Sequence, residues 1–205
     1  MSSTKQVICL ALFFVVPIQA SAEACVMVVD SDGVQTPTLV YNGGLYTLEP
    51  AFEDYNYMLF DACNAWGATI ETGCDIYPMM GAIKWNAVAT ICDGNKVIVY
   101  DRRISANIGY EGAQAVIAHE LGHHFCNHLS VSSLDTDESH KRELEADRFA
   151  GATLRRIGFG RDATLNILPL LGEQPSLSHP ARTEREVALL AGWDDPTTGL
   201  ACLSR

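Results

Sequence analysis

The chain is short of the residues that gather polyanions. It has 14 Lys and Arg against 25 Asp and Glu, a formal net charge of −11 at pH 7. So acidic a surface argues against nucleic acid and against anionic membranes as partners. No CxxC occurs among the seven cysteines. That argues against a cysteine-based zinc knuckle and against a thioredoxin-type redox site. The chain has no internal repeat and no low-complexity tract. After the first twenty residues no apolar run is long enough to be a transmembrane helix.

What is present begins with a leader. Lys5 gives a positive start, residues 7–18 are apolar apart from Cys9 and interrupted only by Pro17, and Ala20-Ser21-Ala22 has a small-x-small form. Residues 1–22 read as a secretory signal peptide cut after Ala22, with an uncleaved anchor as the rival reading. Glu23 and Ala24 make a poor context for lipid attachment at Cys25. Residues 23–205 then form one exported domain, periplasmic or secreted, with no stable membrane insertion after cleavage. A chain of that size buries a real core without staples. Six cysteines remain after Cys9 leaves: Cys25, Cys63, Cys74, Cys92, Cys126 and Cys202. An even number in an exported chain suggests disulfides, of which Cys63–Cys74 is the most plausible local pair.

The periodicities predict an α+β domain, a small N-terminal β-containing part followed by a helical part. Residues 25–29 and 38–41 read as strands of a hairpin, the second closed by Asn42-Gly43-Gly44. Tyr55, Leu59, Ala62 and Trp66 recur at helical spacing over residues 52–66, and Gly67 is a natural stop. Residues 67–95 are rich in glycine and read as irregular. Residues 96–103 (KVIVYDRR) are the strongest strand. Two roles stay open for it: an edge with which an extended peptide could pair, or a core strand covered on both sides. Helices are expected over 111–127, 139–157 (ended by Gly158), 164–171 and 183–191. A polar loop at 129–138 and a turn region at 175–180 separate them.

Four of the six histidines fall in AVIAHELGHHFCNH, residues 115–128. On a helix, residues four apart share a face, so His119 and His123 can bind one metal ion from one side. Glu120, about a third of a turn around, is poorly placed as a ligand but can reach a metal-bound water. Gly122 lets another backbone or a substrate pass close by. The bland reading is a helix of surface histidines. The apolar run 115–118 speaks against it, because it buries the helix.

A catalytic zinc site has three protein ligands and one open position. Twenty residues after His123 comes ELEADRFAG, in which Glu143 and Asp147 share a helix face while Glu145 points nearly the other way. Glu143 can be the third ligand, and Asp147 can accept the second N–H of a ligand histidine. His124 and His128 project to another side and read as surface residues, with a second metal as the alternative. Cys126, two turns after His119, suits a disulfide at the helix end or an approach to the metal from below. His140 reads as solvated.

HELGH followed by ELEADRFAG resembles the gluzincin metallopeptidases, and most closely the HtpX-like and CAAX-prenyl-protease-like family with its soluble exported members. The resemblance covers roughly residues 111–190, with residues 96–192 as the best-supported core. It implies a zincin-like fold, one zinc ion (Zn2+) on His119, His123 and Glu143, Glu120 as general base, and Asp147 behind the ligands. A later His179-Pro180, with Arg185 six residues after His179, implies two cleft residues that stabilise an oxyanion. The expected activity is that of a zinc metalloendopeptidase acting on a polypeptide substrate. The chain lacks the transmembrane helices of the membrane members, which sets a prenyl-protein substrate in doubt. The alternative is a latent or non-proteolytic, chaperone-like zinc protein, in which His179 fills the open coordination position.

Overall fold

The computed structural model describes residues 24–29, 31–130 and 135–203. The expected signal peptide, residues 1–22, and residues 131–134 of the polar loop lie outside the described residues. The architecture is α+β, with strands in the first half and helices in the second.

Strands β1 (Ala24–Val29) and β2 (Gln35–Tyr41) form the expected antiparallel hairpin, with Cys25 opposite Leu39. Asn42 and Gly43 both take positive φ, 46° and 74°, which makes the tight turn into β3 (Gly44–Thr47). After the short β4 (Glu49–Pro50), helix α1 (Glu53–Asn64) buries Tyr55, Met58, Leu59 and Ala62. Residues 67–95 are not irregular. They hold β5 (Ile76–Met80) and β6 (Ala87–Cys92). Both are weak strands by composition: Pro78 interrupts the first, and the second leans on alanine. The overlooked signal is Asp93-Gly94, a hairpin dipeptide with φ of 49° and 80°, which turns β6 into β7 (Asn95–Tyr100).

The seven strands form one sheet in the order β3-β2-β1-β6-β7-β5-β4. β7 pairs with β6 on one side and β5 on the other, and Val97 to Tyr100 are buried. The strand in residues 96–103 is therefore a core strand, and the edge role falls elsewhere. β6 meets β1 at a single residue pair, Cys25–Cys92. Among the described residues, Ala87 to Ile91 have no strand on that flank.

Helix α2 (Ile104–Phe125) begins earlier than expected because it joins two helical pieces across Gly109 (φ 75°, ψ 176°). Residues 112–122 of α2 are buried without a break. Each large apolar side chain there, such as Ile117 or Leu121, contributes roughly 1.5–3 kcal/mol by leaving water. Helix α3 (Thr136–Ile157) starts where the Asp135 carboxylate accepts from Asp137 N–H at 3.0 Å, and it stops at Gly158. Residues 163–170 form a 3-10 helix with Pro169 inside it, followed by α4 (Arg182–Asp194) and the short α5 (Leu200–Leu203).

The cysteines pair as Cys25–Cys92, Cys63–Cys74 and Cys126–Cys202. Cys126 is thus bound into a disulfide that ties the end of α2 to α5. Disulfides persist in oxidising compartments, which suits a protein working outside the cytoplasm. No helix of the described residues is long and apolar enough to cross a membrane.

Two close helix crossings position the second half. A Cβ on Gly122 would stand 3.2 Å from the Ala146 Cα, so α2 and α3 approach almost backbone to backbone. At the α3–α4 crossing a Cβ on Gly151 would meet the Leu189 carbonyl oxygen at 1.9 Å, and one on Gly192 would meet that of Arg148 at 1.9 Å. The start of α2 is fixed by Asp101, 1% exposed, which accepts from Trp85 N–H, Arg103 N–H and the Arg103 guanidinium.

Gly151→Ala must push α3 and α4 apart, and overpacking of this kind costs about 2–3 kcal/mol, to be read from chemical denaturation. Burial alone would raise the Asp101 pKa, but its Arg103 and backbone hydrogen bonds bring it down from 3.8 to about 2. A depressed carboxylate pKa stabilises the fold above the unfolded value and stops doing so as pH falls through the folded one. Asp101→Asn is therefore expected to lose about 2 kcal/mol at pH 7. The gap to the parent should close between about pH 4 and pH 2 in parallel denaturant titrations.

Candidate metal centre

His119 and His123 project from one face of α2 into the α2–α3 crossing, and Glu143 meets them from α3. The two histidine Nε2 atoms are 3.1 Å apart. Glu143 straddles them, with Oε2 at 3.4 Å from His119 Nε2 and Oε1 at 3.4 Å from His123 Nε2. One ligand atom from each residue fits within a 4.8 Å sphere of separation, so this trio could hold a metal ion. Donors bound to zinc at about 2.0–2.1 Å with tetrahedral angles stand roughly 3.3–3.4 Å apart, close to the 3.1 Å between the histidines and the 3.4 Å from each to one oxygen of Glu143.

The hydrogen bonds behind the trio fix its protons. His119 Nδ1–H donates to Asp147 Oδ1 at 2.9 Å, which leaves the Nε2 lone pair facing inward. His123 Nδ1 lies 3.0 Å from His128 Nδ1, and His128 Nε2 lies 2.9 Å from Glu145 Oε2. Glu145 can only accept, so His128 donates from Nε2, and His123 Nδ1–H donates to the remaining His128 lone pair. Both ligand histidines then turn lone pairs toward a carboxylate. Glu143 Oε2 is buried and makes no hydrogen bond. Three acceptors facing one another, one of them unsatisfied, form a cage that calls for a cation. The donor chemistry, two imidazoles and a carboxylate, fits zinc.

The electrostatics agree. Burial should lower the His119 pKa, but the charge and hydrogen bond of Asp147, with Glu143, raise it to about 10. The cage attracts positive charge strongly enough to hold a proton. Burial pushes Glu143 upward, yet His123 and His119 carry it well below the ordinary carboxylate range.

Glu120 stays outside the trio. Its Oε2 accepts from Ala89 N–H at 2.7 Å, on the flank of β6 that faces away from β7. In a hairpin closed by Cys92 and Asn95, alternate residues of β6 point away from β7, and Ala89 is one of these. His179 arrives from the loop before α4, with Nε2 3.4 Å from Glu143 Oε2 and a side chain 49% exposed. It lies outside the compact trio. Its loop is pinned by His140, whose Nε2–H donates to the Ser176 carbonyl at 2.8 Å, so His140 is engaged and not merely solvated.

Arg185 is buried. Its Nε and Nη2 bind the two oxygens of Asp147 at 2.7 and 2.9 Å, and Nη2 is 3.4 Å from Glu143 Oε2. It sits behind the ligands as a counter-charge to Asp147. His124 and His128 part company: His124 Nε2–H donates to the Val97 carbonyl at 3.0 Å, while His128 folds back onto His123. Burial lowers the His124 pKa to about 4, so it is neutral at pH 7. A second cluster, Cys126, Glu145 and Cys202, is compact enough for a metal, but its sulfurs are already bonded to each other.

His128, expected at the surface, is buried between His123 and Glu145, and nothing in the sequence pointed to Ala89 as the partner of Glu120. Glu145 was set aside because it points away from Glu143 on the α3 wheel. Asn127 supplies the missing turn: its φ of 61° ends α2 and swings His128 back toward both His123 and Glu145.

Arg185→Ala leaves Asp147 buried without its guanidinium, and stability should fall by about 3–5 kcal/mol in denaturant unfolding of the metal-free chain. A loss below about 1 kcal/mol would mean that Asp147 does not depend on this partner. Compared with protein-family models, with curated proteins and with solved structures, the chain matches none.

Proposed function

We propose that the chain is an exported zinc metalloendopeptidase, of the gluzincin type and with a zincin-like fold, that cleaves a polypeptide by general-base catalysis. One observation carries this reading: a three-donor cage stands beside a carboxylate, Glu120, that takes no part in it and is held by a backbone N–H of β6. A structural zinc site uses four protein ligands and has no need of a base. Bound at His119, His123 and Glu143, zinc would supply a Lewis acid and lower the pKa of an attacking water.

The residues divide the work as follows. Ala89 N–H holds Glu120 through Oε2, which leaves Oε1 to take a proton from the attacking water and pass it to the leaving amine. His179, half-exposed beside the cage, is the donor for the oxyanion. Arg185 acts one layer further in, where it steadies Asp147 and through it His119. Export is supported by the leader pattern and the three disulfides.

The approach of His179 to Glu143 at 3.4 Å also favours a second reading, a latent or chaperone-like zinc protein in which His179 closes the fourth coordination position. Zinc content and hydrolysis of casein or a peptide library, measured for the parent and for Glu120→Gln, separate the two. The expected result is one zinc in each and a loss of hydrolysis of about 100-fold or more in the variant. One zinc in both with no hydrolysis by either, and hydrolysis gained by His179→Ala, would select the latent form. Hydrolysis equal in parent and Glu120→Gln would remove Glu120 as the base.

A further inference from the structure

We infer that His128 and Glu145 are positioning residues for the zinc ligand His123, forming a hydrogen-bonded relay from the metal cage to a carboxylate outside it. The inference rests on the reading of the cage as a zinc site, and it does not depend on peptidase activity.

The two ligand histidines are supported differently. His119 is oriented by one carboxylate directly, through the 2.9 Å bond from Nδ1 to Asp147. His123 has no carboxylate on its Nδ1. It has the His128 ring at 3.0 Å, and that ring has Glu145 at 2.9 Å. Read as proton positions, the relay has one consistent direction. Glu145 takes the His128 Nε2–H, so the His128 Nδ1 lone pair takes the His123 Nδ1–H, and the His123 Nε2 lone pair points at the cage. With a neutral His128 ring, reversing either of its bonds would set two donors or two acceptors against each other.

The relay is built into the fold. His128 is buried, and its backbone carbonyl accepts from Arg142 Nη1–H at 3.1 Å, which ties the turn after α2 to α3. The left-handed Asn127 bends the chain back, and the Cys126–Cys202 disulfide fixes the residue just before it. Glu145 comes from the same α3 segment as Glu143 and Asp147. One five-residue stretch, ELEAD, thus supplies a ligand and the carboxylates that orient both histidine ligands.

The contribution of such a relay to a metal site is ligand orientation and basicity, typically about 10- to 100-fold in affinity. His128 offers no donor atom to the cage and acts only through His123, so its effect must be visible in metal binding itself. The test is zinc affinity of the purified chain by competition with a chromophoric chelator, together with the visible spectrum of the cobalt-loaded chain. His128→Phe and Glu145→Ala are expected to weaken zinc by about 10- to 100-fold and to shift the cobalt bands. His128→Gln keeps an acceptor for His123 and a donor for Glu145, and should stay within about 5-fold of the parent. Thermal unfolding of each metal-free variant identifies any general loss of fold. His124→Gln is the control for a histidine of the same helix turn that serves only the fold, and its cobalt bands should match the parent's.

Parent-like zinc affinity in His128→Phe, within about 2-fold and with the metal-free fold intact, would overturn the inference. So would a loss equally large in His128→Gln, or one shared by His124→Gln. A parent chain that binds no zinc overturns the cage and the relay together. A parent that binds zinc and hydrolyses nothing overturns the peptidase reading alone, and the relay is then judged on the affinities.

Discussion

The contact between Gly122 and Ala146 is the constraint on which the site depends. Each helix carries its polar residues four apart: His119 and His123 on α2, Glu143 and Asp147 on α3. Such pairs form a three-dimensional set only if the two helices touch at the level of those residues. A side chain on residue 122 would hold the axes apart, and the 3.4 Å spacings between carboxylate and imidazoles would open. The sheet, α1 and the second helix crossing serve this contact by keeping α2 buried and α3 pressed against it.

Closing the crossing buries charge. Asp147, Glu143, His119 and Arg185 are all withdrawn from water, and each must find compensation within a few ångströms. Arg185 answers Asp147 with two hydrogen bonds, and Asp147 in turn orients His119. Glu143 is compensated least directly: its Oε2 makes no hydrogen bond and has the Arg185 guanidinium only at 3.4 Å. A cation at the cage completes the account, and without one the elevated pKa of His119 shows where a proton is drawn instead. The site is therefore built for positive charge before any question of catalysis arises. The proposed catalysis enters only with Glu120, which the fold keeps one residue away from the cage and ties to β6.

How much of this could be read from the chain followed from distance along it. The pairs His119/His123 and Glu143/Asp147 are helical neighbours, so their shared faces follow from a period of 3.6 residues alone. The hairpin at Asn42-Gly43 and the stop at Gly158 were legible for the same local reason. β5 and β6 were not, because proline in one and alanine in the other hide the alternation, and only Asp93-Gly94 announced the hairpin. Whether β7 lay at the edge or in the core depends on which strands join it, which no local pattern contains. His128 and Glu145 were harder still. Their meeting requires the left-handed turn at Asn127 and the helix crossing together. On a helical wheel Glu145 faces away from its neighbours. Arg185 could be placed near the site only through the resemblance, and its engagement with Asp147 depends on the Gly151–Gly192 crossing.

The disulfides bear on what a metal in the cage would be for. In small metal-dependent domains the unfolded chain has no site, and metal affinity is folding free energy. Here the end of α2, three residues past His123, is tied covalently to α5, and β6, which carries Ala89, is tied to β1. The helix crossing is further held by apolar packing of α2 along residues 112–122. The cage is thus shaped by a scaffold that does not need the ion. A preformed cage can keep its ligands oriented while a coordination position stays open, because the fold does not rely on saturating the metal. That separation of structural and chemical roles is what a reactive zinc site requires, and it explains why the acceptors of the cage are fixed from behind, by Asp147 and by the His128–Glu145 pair, and not by one another.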